Sequence, residues 1–121
     1  RVLAVDPFYF GESKLSKRDY LFALLVSSIG DRPIGIQASQ INAIARWLRT
    51  PVSIEAFGPR TSLIATVAAA LESRSVNTHE ALPSLRDVIE KNMTVDKVPE
   101  LFCFGLLHSL PNANKATVDL R

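Results

Sequence analysis

The chain has a single cysteine, Cys103, among its 121 residues, so no intrachain disulfide can form. That usage fits a cytoplasmic setting better than a secreted one. None of the five glycines falls into G-x-G-x-x-G or G-x-x-x-x-G-K-[ST], which argues against a nucleotide-phosphate loop. Two histidines occur, His79 and His108, and neither has a Cys or Asp at ligand spacing, so no metal site and no cofactor is expected. Long apolar runs are missing too. The best stretch, residues 20–29, is far below the roughly 20 residues a membrane helix needs and is cut by Ser27 and Ser28. Nor is there an excess of one charge. Fourteen Lys and Arg against 12 Asp and Glu give a net charge of +2, scattered without blocks, so neither nucleic acid nor an anionic membrane is an expected partner.

What is present is a hydrophobic fraction of 47%, which belongs to a globular protein and excludes disorder. Residues 1–121 are one domain's worth of chain, with residues 108–121 read as an irregular tail. Residues 2–5 are apolar throughout, the pattern of a strand buried on both faces of a parallel sheet. Pro7, Gly11 and Ser13 then mark a loop. Residues 17–29 read as a helix with Ser16 as N-cap and Gly30 as its stop. Its apolar residues (Tyr20, Leu21, Leu24, Leu25, Val26) cover more than one stripe, which predicts a well-buried helix. Ile34, Gln37, Ile41, Ile44 and Leu48 recur every three or four positions and predict a second helix over 34–48, stopped by Thr50 and Pro51.

Residues 52–57 read as the next strand, followed by an alanine-rich helix over 63–72, whose small side chains suit close packing on a sheet. A third strand is predicted over 75–78. A helix follows over 84–92, with Ser84 and Asp87 in capping-box relation. Residues 99–107 read as a last short helix. Pro111, Asn112 and Asn114 read as a turn, and residues 117–120 as a short terminal strand. Strands alternating with helices predict an α/β fold, a short parallel sheet with helices on both faces.

One junction in that series stands out. Gly58-Pro59-Arg60-Thr61-Ser62 links the strand over 52–57 to the alanine-rich helix. A β-branched run, a glycine-led turn and a small-residue helix form the layout of a nucleophile elbow, G-x-S-x-G, in which a serine sits at the apex of a strained turn. Here the apex position holds Arg60. Val2-Leu3-Ala4-Val5-Asp6 with Gly11-Glu12-Ser13 resembles the strand and loop of α/β-hydrolases that come two elements before the nucleophile. Gly30-Asp31-Arg32-Pro33-Ile34 with Trp47-Leu48 resembles the helix before their elbow strand. Pro83-Ser84-Leu85-Arg86-Asp87 and residues 99–107 resemble the stretch before their acid-bearing strand.

Together, in order over residues 1–107, these segments resemble the α/β-hydrolase superfamily, most of all its acetyl-xylan-esterase and dienelactone-hydrolase branches. The resemblance implies an esterase-like scaffold, the central part of such an enzyme, with its nucleophile replaced. A whole hydrolase of this kind needs about twice the length. Arg1 is not an initiator methionine, and no signal-peptide pattern is visible, so the expectation is a piece of a longer chain.

Arg60 itself cannot be a nucleophile, because its guanidinium stays protonated. At the open end of a sheet it is a candidate anion-binding group, or else an ion-pair partner. Ser62 is the candidate alternative nucleophile of an active esterase; the opposing reading gives its hydroxyl to a backbone group in the first helical turn. His79 and His108 are the only candidate bases. By context the first lies in a surface loop and the second follows a helix. Asp6 is expected to shape its loop, and Cys103, between Phe102 and Phe104, to act as a small buried hydrophobe. A sheet of three strands leaves open edges and apolar surface, which implies a homo-oligomer, a dimer first of all.

Overall fold

The computed structural model describes residues 1–15 and 17–110. Its centre is a β1–α3–β2 unit. β1 (Ile54–Phe57) and β2 (Val76–His79) pair in parallel, Ile54 with Val76 through Phe57 with His79. Between them runs α3 (Pro59–Glu72), which starts without a linking loop. Gly58 holds φ 92°, a conformation glycine adopts without a Cβ penalty, and Pro59 occupies the first helical turn. Ser73, in the left-handed region, ends the helix by giving its N–H to the carbonyl of Ala69. The architecture is α/β with a two-stranded parallel sheet.

α2 (Pro33–Trp47) lies against α3. Its buried face mixes Ile34, Ala38 and Ala45 with two amides, Gln37 and Asn42. Asn42 Nδ2 donates to the carbonyl of Ala68 at 3.0 Å, tying the two helices at a point where alanine lets the backbones approach. Ala65, Ala68 and Ala69 are all buried. Ile34, Leu63, Ile64 and Leu85 form the main core, joined by Phe10, Ile41, Leu101, Cys103 and Leu106. A smaller cluster of Tyr9, Phe22 and Val26 holds α1 (Asp19–Ser28) to the amino-terminal loop. In it the Tyr9 and Phe22 rings stack at 4.3 Å while Phe8 meets Phe22 edge-on. Two short helices, α4 (Asp87–Glu90) and α5 (Leu106–Ser109), and a 3-10 turn at Pro99–Leu101 complete the described chain.

Several expectations need correction. Residues 2–5 form no strand; Val2 is 99% exposed and Val5 41%. A strand exists only where a neighbour pairs with it, and β1 and β2 pair with each other. Helices were expected on both faces of the sheet. Only α3 packs on it closely, and the alternating burial of Glu55, Phe57, Asn77 and His79 leaves the other face exposed. α1 is not buried all round, since Leu21, Leu24 and Leu25 face outward. α3 begins at Pro59 and not at Leu63, so Arg60 lies in the first turn of a helix and not at a strained apex.

The helix predicted over 84–92 shrinks to α4. Ser84 accepts a hydrogen bond from the Arg86 N–H, and the Asp87 carboxylate goes to Lys91, so no capping box closes. The helix predicted over 99–107 breaks into the 3-10 turn and α5, with Gly105 at φ 83° between them. The N-cap reading of Ser16, the turn at Pro111 and the strand over 117–120 lie outside the described residues.

Candidate functional site

Arg60 projects from the first turn of α3 into a knot of side chains drawn from four parts of the chain. Glu100 comes from the 3-10 turn and is fully buried; Asp19 opens α1 and is 7% exposed. The guanidinium grips Glu100 with two parallel hydrogen bonds, Nε to Oε2 at 2.8 Å and Nη2 to Oε1 at 2.7 Å. Its Nη1 donates to Asp19 Oδ2 at 2.6 Å. The ring of Phe10 lies under the guanidinium at 4.7 Å, a cation–π contact. Gln37 Nε2 donates to Glu100 Oε1 at 3.3 Å and to the Phe8 carbonyl at 3.0 Å. Lys14 sits 3.0 Å from Asp19 Oδ1.

Two cations therefore face two carboxylates, and the knot is neutral. Burial alone would push the Asp19 carboxyl upward. The hydrogen bonds and charges of Arg60 and Lys14 outweigh it and hold Asp19 below the usual carboxylate range. Burial likewise opposes the charge on Arg60, and Glu100 and then Asp19 more than restore it. An anion site needs free donors and uncompensated positive charge. Here the fork of the guanidinium is already closed on Glu100 and its face on Phe10.

Ser62 is 1% exposed, and its Oγ donates to the carbonyl of His79 at 3.2 Å. The hydroxyl thus bonds backbone, but at the end of β2 and not in its own helical turn. Thr61 Oγ1 donates to the carbonyls of Phe57 and Gly58. His79 is the last residue of β2 and not a loop residue. Its ring stacks on Phe57 at 4.5 Å on the exposed sheet face, with Nε2 3.0 Å from Glu55 Oε1. His108 lies within α5 and lines an open groove of about 460 Å³ with Arg86, Ile89 and Glu90. Among the described residues no hydrogen bond joins either imidazole to the Ser62 hydroxyl. Ser62 and His79 therefore meet through the His79 backbone carbonyl, while the His79 imidazole pairs with Glu55.

Asp6 packs tightly over Gly11: a Cβ there would fall 1.8 Å from its Oδ2. Cys103 packs, partly buried, against the main core. The described residues contain no group of three His, Cys, Asp or Glu placed to hold a metal, and no helix long and apolar enough to cross a membrane.

Glu100 and Asp19 are the participants that sequence reasoning missed. They lie 40 and 41 positions from Arg60. The one signal for Glu100 is its isolation, a single charge between Val98-Pro99 and Leu101-Phe102-Cys103-Phe104. A charge in such a run is buried only if paired. Comparison of the chain with protein-family models, with curated proteins and with solved structures returned no match.

Proposed function

We propose that this chain is a catalytically incompetent domain on an esterase-like layout, in which the elbow position serves architecture and not chemistry. The observation that carries the reading is the closure of Arg60 on Glu100, Asp19 and Phe10. A side chain committed in this way neither attacks a carbonyl nor receives a substrate anion. Ser62 supports the same reading, because a nucleophile needs a base within hydrogen-bond reach and its own hydroxyl is spent on a backbone carbonyl. The test is direct. Hydrolysis of a chromogenic short-chain acyl ester stays at background, and a fluorophosphonate probe leaves Ser62 unlabelled. Stoichiometric labelling of Ser62 would sink the reading in favour of an active esterase.

A second reading, from a different class, is a self-associating interaction module. What favours it is exposed apolar surface: Leu24 at 53%, Leu25 at 68%, Ile29 at 74% and Phe57 at 67%, together with a two-stranded sheet. The two readings are compatible, since a domain without chemistry still acts through its surfaces.

A further inference from the structure

Val2, Leu3, Ala4 and Val5 hold the pattern of a strand apolar on both faces, and among the described residues they make no hydrogen bond. All four are exposed, Val2 at 99% and Leu3 at 56%. The chain is fixed immediately after them. The Pro7 carbonyl accepts the Phe10 N–H at 2.9 Å and the Ser13 hydroxyl at 3.1 Å, and the Phe8 N–H donates to Gln40 Oε1 at 2.7 Å. A strand-patterned segment therefore stands out from an anchored root.

The sheet has the matching deficit. The Ile54 N–H donates to the Ser75 carbonyl at 3.1 Å and the Gly58 N–H to that of His79 at 2.9 Å. Successive residues of a strand turn their N–H groups to opposite sides, so Ile54, Ala56 and Gly58 face β2 while Glu55 and Phe57 face away. Among the described residues nothing accepts the Glu55 and Phe57 N–H groups. Val76 and Thr78 are left in the same way on the far side of β2. An open edge of this kind is a template for a further strand. Side chains choose between the two edges, because a segment apolar on both faces needs apolar neighbours on both. β1 offers Ile54 and Ala56 on the face toward α3 and Phe57, 67% exposed, on the other. On that other face β2 offers only Asn77 and His79.

We infer that residues 2–5 of one copy add to the outer edge of β1 in a second copy, and those of the second copy to the first. Such an exchange is reciprocal and closes about a twofold axis. It gives the segment the neighbour that its pattern requires and that its own chain does not supply. Backbone groups that a single copy leaves to water are then paired on both sides, and the apolar faces of Val2 to Val5 are covered by β1 residues of the same character.

The exchange rests on the self-association reading and gives it a site. Sedimentation equilibrium of the full chain at micromolar concentration is expected to return the mass of two copies. Hydrogen exchange at that concentration should be at least about tenfold slower at the Glu55 and Phe57 amides than at those of Val76 and Thr78, and dilution below the pairing midpoint should abolish the difference. In any register one of Leu3 and Ala4 turns its N–H to the edge, and proline has none to give. Leu3→Pro or Ala4→Pro, whichever falls on that position, should weaken pairing about tenfold or more. The far-ultraviolet circular dichroism should not change, because both residues are exposed and lie outside the helices and strands of the single copy. A folded parent of one-chain mass overturns both the self-association reading and the exchange. A two-chain mass in which the Glu55 and Phe57 amides exchange as fast as those of Val76 and Thr78, or in which neither proline weakens pairing, overturns the exchange alone.

Discussion

Arg60 shares its charge between two carboxylates that differ in what they contribute. Glu100 has no exposed surface, so the cost of stripping it of water offsets much of its attraction to the guanidinium. Asp19 is held at 2.6 Å by Arg60 and at 3.0 Å by Lys14. Its carboxyl is lowered from 3.8, despite the opposing effect of burial, by the hydrogen bonds and charges of those two side chains. A carboxyl lowered in the folded state stabilises that state above its unfolded value, and the contribution fades as pH falls through the folded value. Asp19→Asn should therefore lower stability near neutral pH by about 1.5–3 kcal/mol, the range for a hydrogen bond to a charged group. The deficit relative to the parent should begin to shrink below about pH 4, where the carboxyl of the unfolded parent takes up its proton, and should be gone once pH has fallen through the lower folded value. Urea midpoints of both proteins near neutrality and in acid measure this, and a deficit that stays constant across that range would refute it.

At the scale of elements, α3 depends on small side chains where it meets its neighbours. Ala68 has no exposed surface, and its carbonyl receives Asn42 from α2. Ala68→Leu should overpack that contact and cost about 1–3 kcal/mol. Ala70→Leu, on the exposed side of the same helix, should change the unfolding free energy by no more than about 0.5 kcal/mol in either direction. Equal effects from the two would mean that α3 does not pack through Ala68. The same local signals explain which elements were legible in the sequence. The three- and four-residue spacing from Ile34 to Leu48, bounded by Pro33 and Pro51, encodes α2 almost to the residue. β1 and β2 were visible because β-branched or aromatic residues lie beside clear stops. Residues 2–5 carry an equally good strand pattern and form none, because pairing depends on a neighbour and not on the pattern. The knot around Arg60 was illegible for a related reason: no local rule links position 60 to positions 19 and 100. The Ser62 hydroxyl was expected on backbone in its own turn, and only the parallel pairing of β2 with β1 brings the His79 carbonyl to it.

For the molecule as a whole, the knot does what a larger core would otherwise do. The main core draws on α2, α3 and Leu85, while α1 is held mainly by the aromatic cluster of Tyr9 and Phe22. Arg60 joins the two, since its partners sit on α1, on the 3-10 turn and in the loop bearing Phe10. Arg60→Ala would strand the Glu100 carboxylate without its counter-charge, a change that costs about 3–5 kcal/mol for a buried pair broken on one side. Against a total stability of about 5–15 kcal/mol that is a large share. The loss should fall unevenly, because proteins open in cooperative pieces. Hydrogen exchange in Arg60→Ala should accelerate most at amides held by the outer pieces: Leu101, bonded to the Val98 carbonyl, Phe102, bonded to that of Pro99, and the body of α1. The amides of α3 and of β1 paired with β2 should keep more of their protection, since the alanine contacts with α2 and the strand pairing do not involve the guanidinium. An even loss across α1, α3 and the sheet would show that the domain opens as one unit, and that Arg60 supports the whole core and not the joint between its parts.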